Sequence, residues 1–386
     1  MTQRKYTIRL LSIIVLVLII VGCFNRIIDP FWYYQDIEIS GLNKIKPKFR
    51  KYERNVKPKI VARTQPDALI FGSSFSEIGL DPTNRAFTNN GKLNGYNFGM
   101  AGAGWDRVQC YFDYALKETK VKRIVIGISP GSMPKTNCKG ILPEVDNFSE
   151  LNLLFSMIAT VSSVNTILEQ GKSSPSHTKN GMYYYIRGNK GIDHQFSVFY
   201  RDFEKQNQCN LKHLRNISSA HVNMDYQLPE INTNIDIDGL KKVIKMANEK
   251  NIELRIYIYP SHVLWQEINV ICGNYKNYWA NLLYIVQELE KEGGNVELWD
   301  FNQYNDFTGE TITSQSAIYW QDPEHFNYEF GNFILEAMFD KKKDKTFGVK
   351  LTSKNVTLAY KEYIKSRDKY IKSHNDLFLT LDKILQ

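Results

Sequence analysis

The chain has 386 residues, of which 43% are hydrophobic and 23% charged, and its net charge is +8. That is ordinary for a globular protein and long enough for a large domain with an inserted or appended piece. The positive excess is partly local, at Arg4, Lys5 and Arg9, at Lys341-Lys342-Lys343 and in a lysine-rich C-terminal stretch. No DNA- or RNA-binding motif accompanies it, so it reads as a solvated surface, or as attraction to anionic lipid or an acidic polymer, and a nucleic-acid role is excluded from the expectations.

The first element is apolar. Arg4, Lys5 and Arg9 precede a run at 10–24 that is short for a full span of about 20 residues; residues 6–8 or Ile27-Ile28 extend it. Cations ahead of the run and the whole domain behind it predict a domain on the extracytoplasmic side. Residues 1–28 are expected to be a signal anchor. A lipoprotein signal is the alternative, because Ile20-Val21-Gly22-Cys23 resembles a lipobox with Cys23 as the lipidated residue, and a buried N-terminal helix is the bland one. The aromatic stretch Phe31-Trp32-Tyr33-Tyr34 suits a membrane–water interface.

Residues 29–66, polar and basic, read as a connector between membrane and domain. Strand-like runs then alternate with helical periodicity. Residues 68–71, 95–100, 123–128, 254–260 and 296–301 read as five strands. Helical spacing appears from Trp105 to Lys117, at Leu240, Val243, Ile244 and Ala247, and from Asn274 to Glu292. This pattern predicts an α/β domain at 67–340, a three-layer α/β/α arrangement around a central, mainly parallel five-stranded sheet. Residues 140–230 interrupt the rhythm with an apolar helix at 149–168, Pro175-Ser176-His177 and the aromatic run Tyr183-Tyr184-Tyr185. They read as an insertion that forms a lid or substrate wall, or simply packs. Residues 341–386 read as a polar helical tail.

Besides Cys23 there are Cys110, Cys138, Cys209 and Cys272, with no CxxC pair, so no zinc site is expected. A disulfide is permitted outside the cytoplasm. Cys138 and Cys209 lie in loop-like sequence and are candidates to pair; buried free thiols are the alternative.

Three separated pieces carry the chemistry. Ser74, in Phe71-Gly72-Ser73-Ser74, follows a strand and opens a helix, which exposes its hydroxyl and its backbone N–H; Gly72 permits the tight turn, and a plain helix N-cap is the bland reading. Gly102, in the glycine-rich stretch 97–104, offers a second backbone donor. Asp322 and His325 open an amphipathic helix continuing through Phe326, Phe330, Phe333 and Ile334, with Asp322 as N-cap and Pro323 in the first helical position. A serine with a distant Asp and His three residues apart is the set that serine acyl chemistry needs: the His takes the serine proton and the Asp holds the imidazole. His262 is the rival histidine. A metal role for His262, His325 and Asp322 has no HExxH-type spacing behind it, and no cofactor is expected.

Taken in this order, the pieces resemble the SGNH (GDSL-like) hydrolase superfamily. The likeness is closest to its membrane-anchored bacterial members, among them the alginate and teichoic-acid modification proteins, in which Gly-Ser-Ser is often followed by Gly-x-Asp-Pro. Here Gly72-Ser73-Ser74 is followed by Gly79-Leu80-Asp81-Pro82. The resemblance covers about residues 67–340. It implies a flavodoxin-like fold, Ser74 as nucleophile, Gly102 as the second-block oxyanion donor, and Asp322 and His325 as the last block. Ser73 stands where many members have Asp. The third block departs: Ser129-Pro130-Gly131-Ser132-Met133 follows the third strand where the family usually has an Asn. Ser129 or Ser132 substitutes for that Asn, or the hole has only two donors; losing one donor costs about 10²–10³ in rate.

The expected function is an extracytoplasmic, membrane-tethered serine esterase or O-acyltransferase acting on acylated cell-surface or exported polysaccharide through an acyl-serine. Trp105, Tyr183 to Tyr185 and Trp320 are candidates to stack on sugar rings, although core packing suits most of them. The alternative is a non-catalytic SGNH-like protein that binds a glycan or a partner in a cell-envelope export assembly. The two separate on geometry, since catalysis needs Ser74 Oγ and His325 Nε2 within about 3 Å. An unrelated α/β protein is the remaining reading; it predicts that strands 68–71 and 123–128 are not neighbours.

Overall fold

The computed structural model describes residues 3–141, 149–172, 175–184, 192–207, 209, 222–228, 235–311, 318–340 and 347–379. Tyr185, Lys341 to Lys343, much of the 140–230 insertion and the end of the tail lie outside them.

Strands β1 (Ala68–Phe71), β2 (Gly95–Asn97), β3 (Arg123–Ile128), β4 (Glu253–Ile258) and β5 (Val296–Asp300) are joined by β6 (Val349–Leu351) in one sheet of order β2-β1-β3-β4-β5-β6. The first five are parallel and β6 pairs antiparallel with β5. All five expected strands are therefore present, but the sheet has six. The sixth is three residues long and lies in the stretch read as a helical tail, too short to show a period of two. Strands β1 and β3 are neighbours, with Ile70 beside Val125 in register. Apolar side chains fill β1 and nearly all of β3 without alternation because these strands are buried along their length, and in β4 even Arg255 is buried.

The helices are α1 (Gln3–Ile28), α2 (Phe49–Thr64), α3 (Ser74–Gly79), α4 (Trp105–Glu118), α5 (Glu150–Phe155), α6 (Met157–Leu168), α7 (Ile192–Asn207), α8 (Asp238–Glu249), α9 (Val263–Ile271), α10 (Asn274–Glu292), α11 (Tyr328–Phe339) and α12 (Val356–Ser373). α1 is long and apolar enough to cross a membrane, and its side chains from Tyr6 to Ile20 are exposed.

The expected connector at 29–66 contains α2, which buries Phe49, Val56, Ile60 and Val61 in the core. Its charged residues hid this, because Glu53 and Lys57 also point inward. Pro58, inside α2, has no N–H for the Arg54 carbonyl; the Tyr111 hydroxyl of α4 donates to that carbonyl instead, at 3.1 Å. The tail at 341–386 is likewise not a polar appendage: α12 buries Val356, Tyr360, Ile364 and Arg367, and the Arg367 guanidinium donates to both oxygens of the buried Glu267 at 2.7 and 2.9 Å. The helix expected at 149–168 is broken at Ser156. Ser149 and Ser156 each accept a capping bond, from the amides of Asn152 and Ala159. Two disulfides form, Cys110–Cys138 and Cys209–Cys272. The pairing considered for Cys138 with Cys209 is thus incorrect, because Cys138 turns back onto helix α4 while Cys209 reaches the end of α9. Cys23 is free and exposed.

Candidate active site

Among the parallel strands the order reverses between β1 and β3, and in open parallel sheets ligands bind outside the strand C-termini at such a switch point. Ser74 sits there, directly beyond β1. Gly72 makes the turn possible: its φ is +148°, and a Cβ would lie 2.1 Å from Ser76 Oγ and 2.6 Å from the Tyr259 hydroxyl. The Tyr259 hydroxyl accepts from the Ser73 N–H at 2.9 Å, and Ser76 Oγ pairs with the Tyr257 hydroxyl at 2.8 Å. The buried Tyr257 of β4 and the half-buried Tyr259 just beyond it therefore fix the serine turn from below. Ser73, not Ser74, occupies the N-cap, and no side-chain capping bond is made. The Ser74 hydroxyl is thus not spent on a cap.

The last block approaches from the far end of the chain. Ser74 Oγ lies 2.8 Å from His325 Nε2, and His325 Nδ1 lies 2.8 and 3.0 Å from the two oxygens of Asp322. Because Nδ1 faces a carboxylate it carries the proton, which leaves Nε2 as the acceptor for the Ser74 hydroxyl. Asp322 is fully buried. Its Oδ1 also accepts from the amides of Glu324 and His325, both at 2.9 Å.

The setting of that block differs from the expectation. Asp322 caps a turn, not a helix. Gln321 N–H donates to the His325 carbonyl, a bridge joins Trp320 to Phe326, and α11 starts only after Asn327. The carboxylate satisfies two amides inside this hairpin, so Asp-Pro resembles a helix start in sequence while serving a tighter loop. The loop is held from α9 as well: the His262 N–H donates to the Pro323 carbonyl at 2.9 Å, and Trp265 Nε1 donates to Glu324 at 3.1 Å. Burial raises the Glu324 carboxyl to about 6, with the nearby Asp322 charge adding to the effect.

Aromatic rings enclose the imidazole. Phe75 stacks on His325 with ring centroids 4.6 Å apart, and Phe199 of α7 meets it edge-on at 6.3 Å. The insertion thus contributes a wall beside the histidine. Trp320 is buried with its Nε1 on the Phe307 carbonyl, Trp105 donates to the Pro134 carbonyl, and Tyr183 packs on His177 and under Arg50. Of the aromatic residues considered for sugar stacking, Tyr184 is the one described residue that is exposed.

Gly102 lies in the turn after β2 with φ +57°. Beneath that turn runs a cluster of charges that the sequence did not suggest. Lys57 donates to Glu77 at 2.9 Å and to the Gly99 carbonyl at 2.5 Å. Glu53 accepts from the Ala101 N–H at 3.2 Å, and Arg54 donates to the Ala101 carbonyl at 2.7 Å. Glu77, on α3, also pairs with Arg50 at 2.5 Å and His177 at 3.3 Å. Burial would raise the Glu77 carboxyl, but Lys57, His177 and Arg50 outweigh it and hold it well below the ordinary range. Glu53, Glu77 and His177 lie close enough together to share a metal ion. Lys57 and Arg50 already neutralise both carboxylates, so the group is a buried ion cluster that joins α2, α3 and the Gly102 turn.

The rival histidine is structural. His262 is fully buried, its Nε2 lies 2.8 Å from the Glu310 carbonyl and its Nδ1 accepts from the Leu264 N–H. Burial lowers its pKa to about 4. Both its ring nitrogens are engaged by backbone groups, and among the described residues the group close enough to share a metal ion does not include His262, His325 or Asp322. After β3, Ser132 Oγ accepts from the Asp236 N–H at 3.3 Å, and Ser129 accepts from Gly131 through its carbonyl. The sequence carried no signal for Phe75, Tyr259, Lys57 or Glu77, apart from one acidic residue in the short helix opened by Ser74.

No family model and no curated protein matches this chain.

Proposed function

We propose that the chain is a membrane-tethered serine esterase or O-acyltransferase of the SGNH type, with Ser74, His325 and Asp322 as its triad. The observation that carries this reading is the continuous hydrogen-bonded line from Ser74 Oγ through His325 to the buried Asp322. A binding scaffold has no need of it. The strand order β2-β1-β3-β4-β5 supports a flavodoxin-like, three-layer α/β/α arrangement, with β6 added at one edge.

In this reading Ser74 Oγ attacks an ester carbonyl as its proton passes to His325 Nε2. Asp322, accepting from Nδ1–H, stabilises the imidazolium. The oxyanion is met by the N–H of Ser74, which as the first helical residue has no acceptor within its helix, and by the N–H of Gly102. Collapse expels the alcohol, which takes the proton from His325. Water or a sugar hydroxyl, deprotonated by His325, then attacks the acyl-serine and releases the acid or a new ester.

The two disulfides support an extracytoplasmic location, and Arg4, Lys5 and Arg9 in the first turns of α1, ahead of its apolar run, support a cytoplasmic N-terminus. The proposed substrate, an acylated cell-surface or exported polysaccharide, follows from the location and the resemblance.

The test is labelling of the full-length chain in detergent with a fluorophosphonate serine probe. Labelling of wild type that is lost in Ser74→Ala and His325→Ala, with circular dichroism unchanged, supports the reading. Labelling that survives in Ser74→Ala overturns it.

A further inference from the structure

Helix α6 is built inside out, and the short helix α5 leads into it. The inward face of α6 carries Ala159, Ser162, Ser163 and Thr166. Its outward face carries Met157, Ile158, Val161, Val164 and Leu168, and α5 adds Leu151. Met157 is 77% exposed, Leu151 69% and Leu168 60%. In a water-soluble helix the apolar stripe faces the core. Here small and hydroxyl residues face the protein and the large apolar ones face out, the arrangement expected of helices surrounded by lipid.

This pair does not stand alone. It packs on the end of α1, the one helix among the described residues that is long and apolar enough to cross a membrane. The Asn25 side chain of α1 is buried in the contact. It donates to the Leu154 carbonyl at 2.7 Å and to Thr160 Oγ1 at 3.0 Å, and accepts from Ser163 Oγ at 2.8 Å. Phe155 packs on Gly22, where a Cβ would sit 2.7 Å from the ring. Every polar atom of Asn25 is satisfied within this joint, as a polar group near hydrocarbon requires. Polar contacts close the far end of α6: Gln170 bonds both backbone groups of Ile45, and Lys48 pairs with Glu169.

We propose that α5 and α6 dip into the outer leaflet beside α1, so that lipid acyl chains cover their apolar face. This inference rests on α1 being inserted in the bilayer, but not on the catalytic reading. Lipid is favoured as the occupant because the exposed face adjoins the exposed apolar surface of α1 itself. The length that spans about 30 Å of hydrocarbon, about 20 helical residues, counted from Tyr6 reaches Asn25, where α6 is attached. A helix lying at that level, apolar face down, is an interfacial one. The domain then sits on the membrane in one orientation instead of swinging on a tether.

The test uses the full-length protein in phosphatidylethanolamine/phosphatidylglycerol nanodiscs, in a Cys23→Ser background. An environment-sensitive fluorophore is attached singly through Val161→Cys on α6, Ile14→Cys on α1 or Leu358→Cys on α12, all exposed positions. The expected result is loss of emission at 161 and 14 with doxyl-labelled lipid, and loss at 358 with aqueous iodide only. Quenching of 161 by iodide as at 358, with 14 still lipid-quenched, overturns the proposal. Protection of 161 from both quenchers also overturns it, by assigning the face to another protein or a second copy. If 14 is not lipid-quenched, the anchor and the proposal fall together, while the serine-probe result stands apart.

Discussion

Lys57 and Glu77 form an ion pair in which neither side chain has any exposure to solvent. Lys57 comes from the helix that follows the N-terminal segment, and Glu77 from the helix that Ser74 opens. The same ammonium holds the Gly99 carbonyl, so one buried charge aligns the serine helix with the turn that carries Gly102. Removing one partner of a buried pair leaves the other uncompensated. Lys57→Met is expected to cost about 3–5 kcal/mol of folding free energy, measured by urea denaturation, with weaker serine-probe labelling in whatever remains folded. A cost indistinguishable from zero would mean that Arg50 and His177 suffice.

Asp322→Asn separates position from charge. The amide oxygen can still accept from the Glu324 and His325 N–H groups, so the hairpin survives. Its NH₂ group, however, presents a donor toward Nδ1 and favours the wrong tautomer. Esterase turnover is expected to fall by up to about 10⁴ with little change in melting temperature. Retained turnover would remove Asp322 from the proposed mechanism.

His262 predicts acid sensitivity. Its folded pKa of about 4 lies below the ordinary 6.5, so the unfolded chain binds more protons between these values. Stability is full above about pH 6.5 and is lost as pH falls toward 4, by up to about 3 kcal/mol. Unfolding free energies compared at about pH 7 and about pH 4.5 should show the loss, and His262→Asn should flatten that part of the profile while lowering stability at neutral pH.

Glu324 acts with the opposite sign. Its folded pKa of about 6 lies above the ordinary 4.5, so the folded chain holds its proton longer and stability declines as pH rises from 4.5 to 6. Glu324→Gln, which keeps an acceptor for Trp265 Nε1, is expected to gain about 1 kcal/mol above pH 6 and nothing near pH 4, allowing for the partial exposure of the carboxyl. Equal melting temperatures for both proteins at about pH 8 would contradict this.

The Ser74–His325–Asp322 arrangement proposed as a triad was legible because its chemistry narrows the choice of residue types and because each member sits beside a recognisable boundary. Ser74 follows an apolar run, and Asp322 and His325 precede a periodic one. The five parallel strands showed through as buried apolar runs for the same reason. The ion cluster was hidden because charged residues in a basic stretch read as surface, and Lys57, Glu77 and His177 meet only through the fold. The hairpin at Asp322 was read as a helix because Asp-Pro serves both structures. Pairing of the four cysteines depended on which loop folds back over the middle of α4 and on where α9 ends in space, which spacing does not encode.

Phe199 reaches His325 from a segment whose end is fastened by Cys209–Cys272 to the helix that also carries Trp265. That fastening forms only where thiols are oxidised. A newly made chain still in a reducing compartment has its serine, histidine and aspartate but not the cross-link that secures their aromatic wall. Under the proposed extracytoplasmic location, export doubles as a maturation step that completes the pocket.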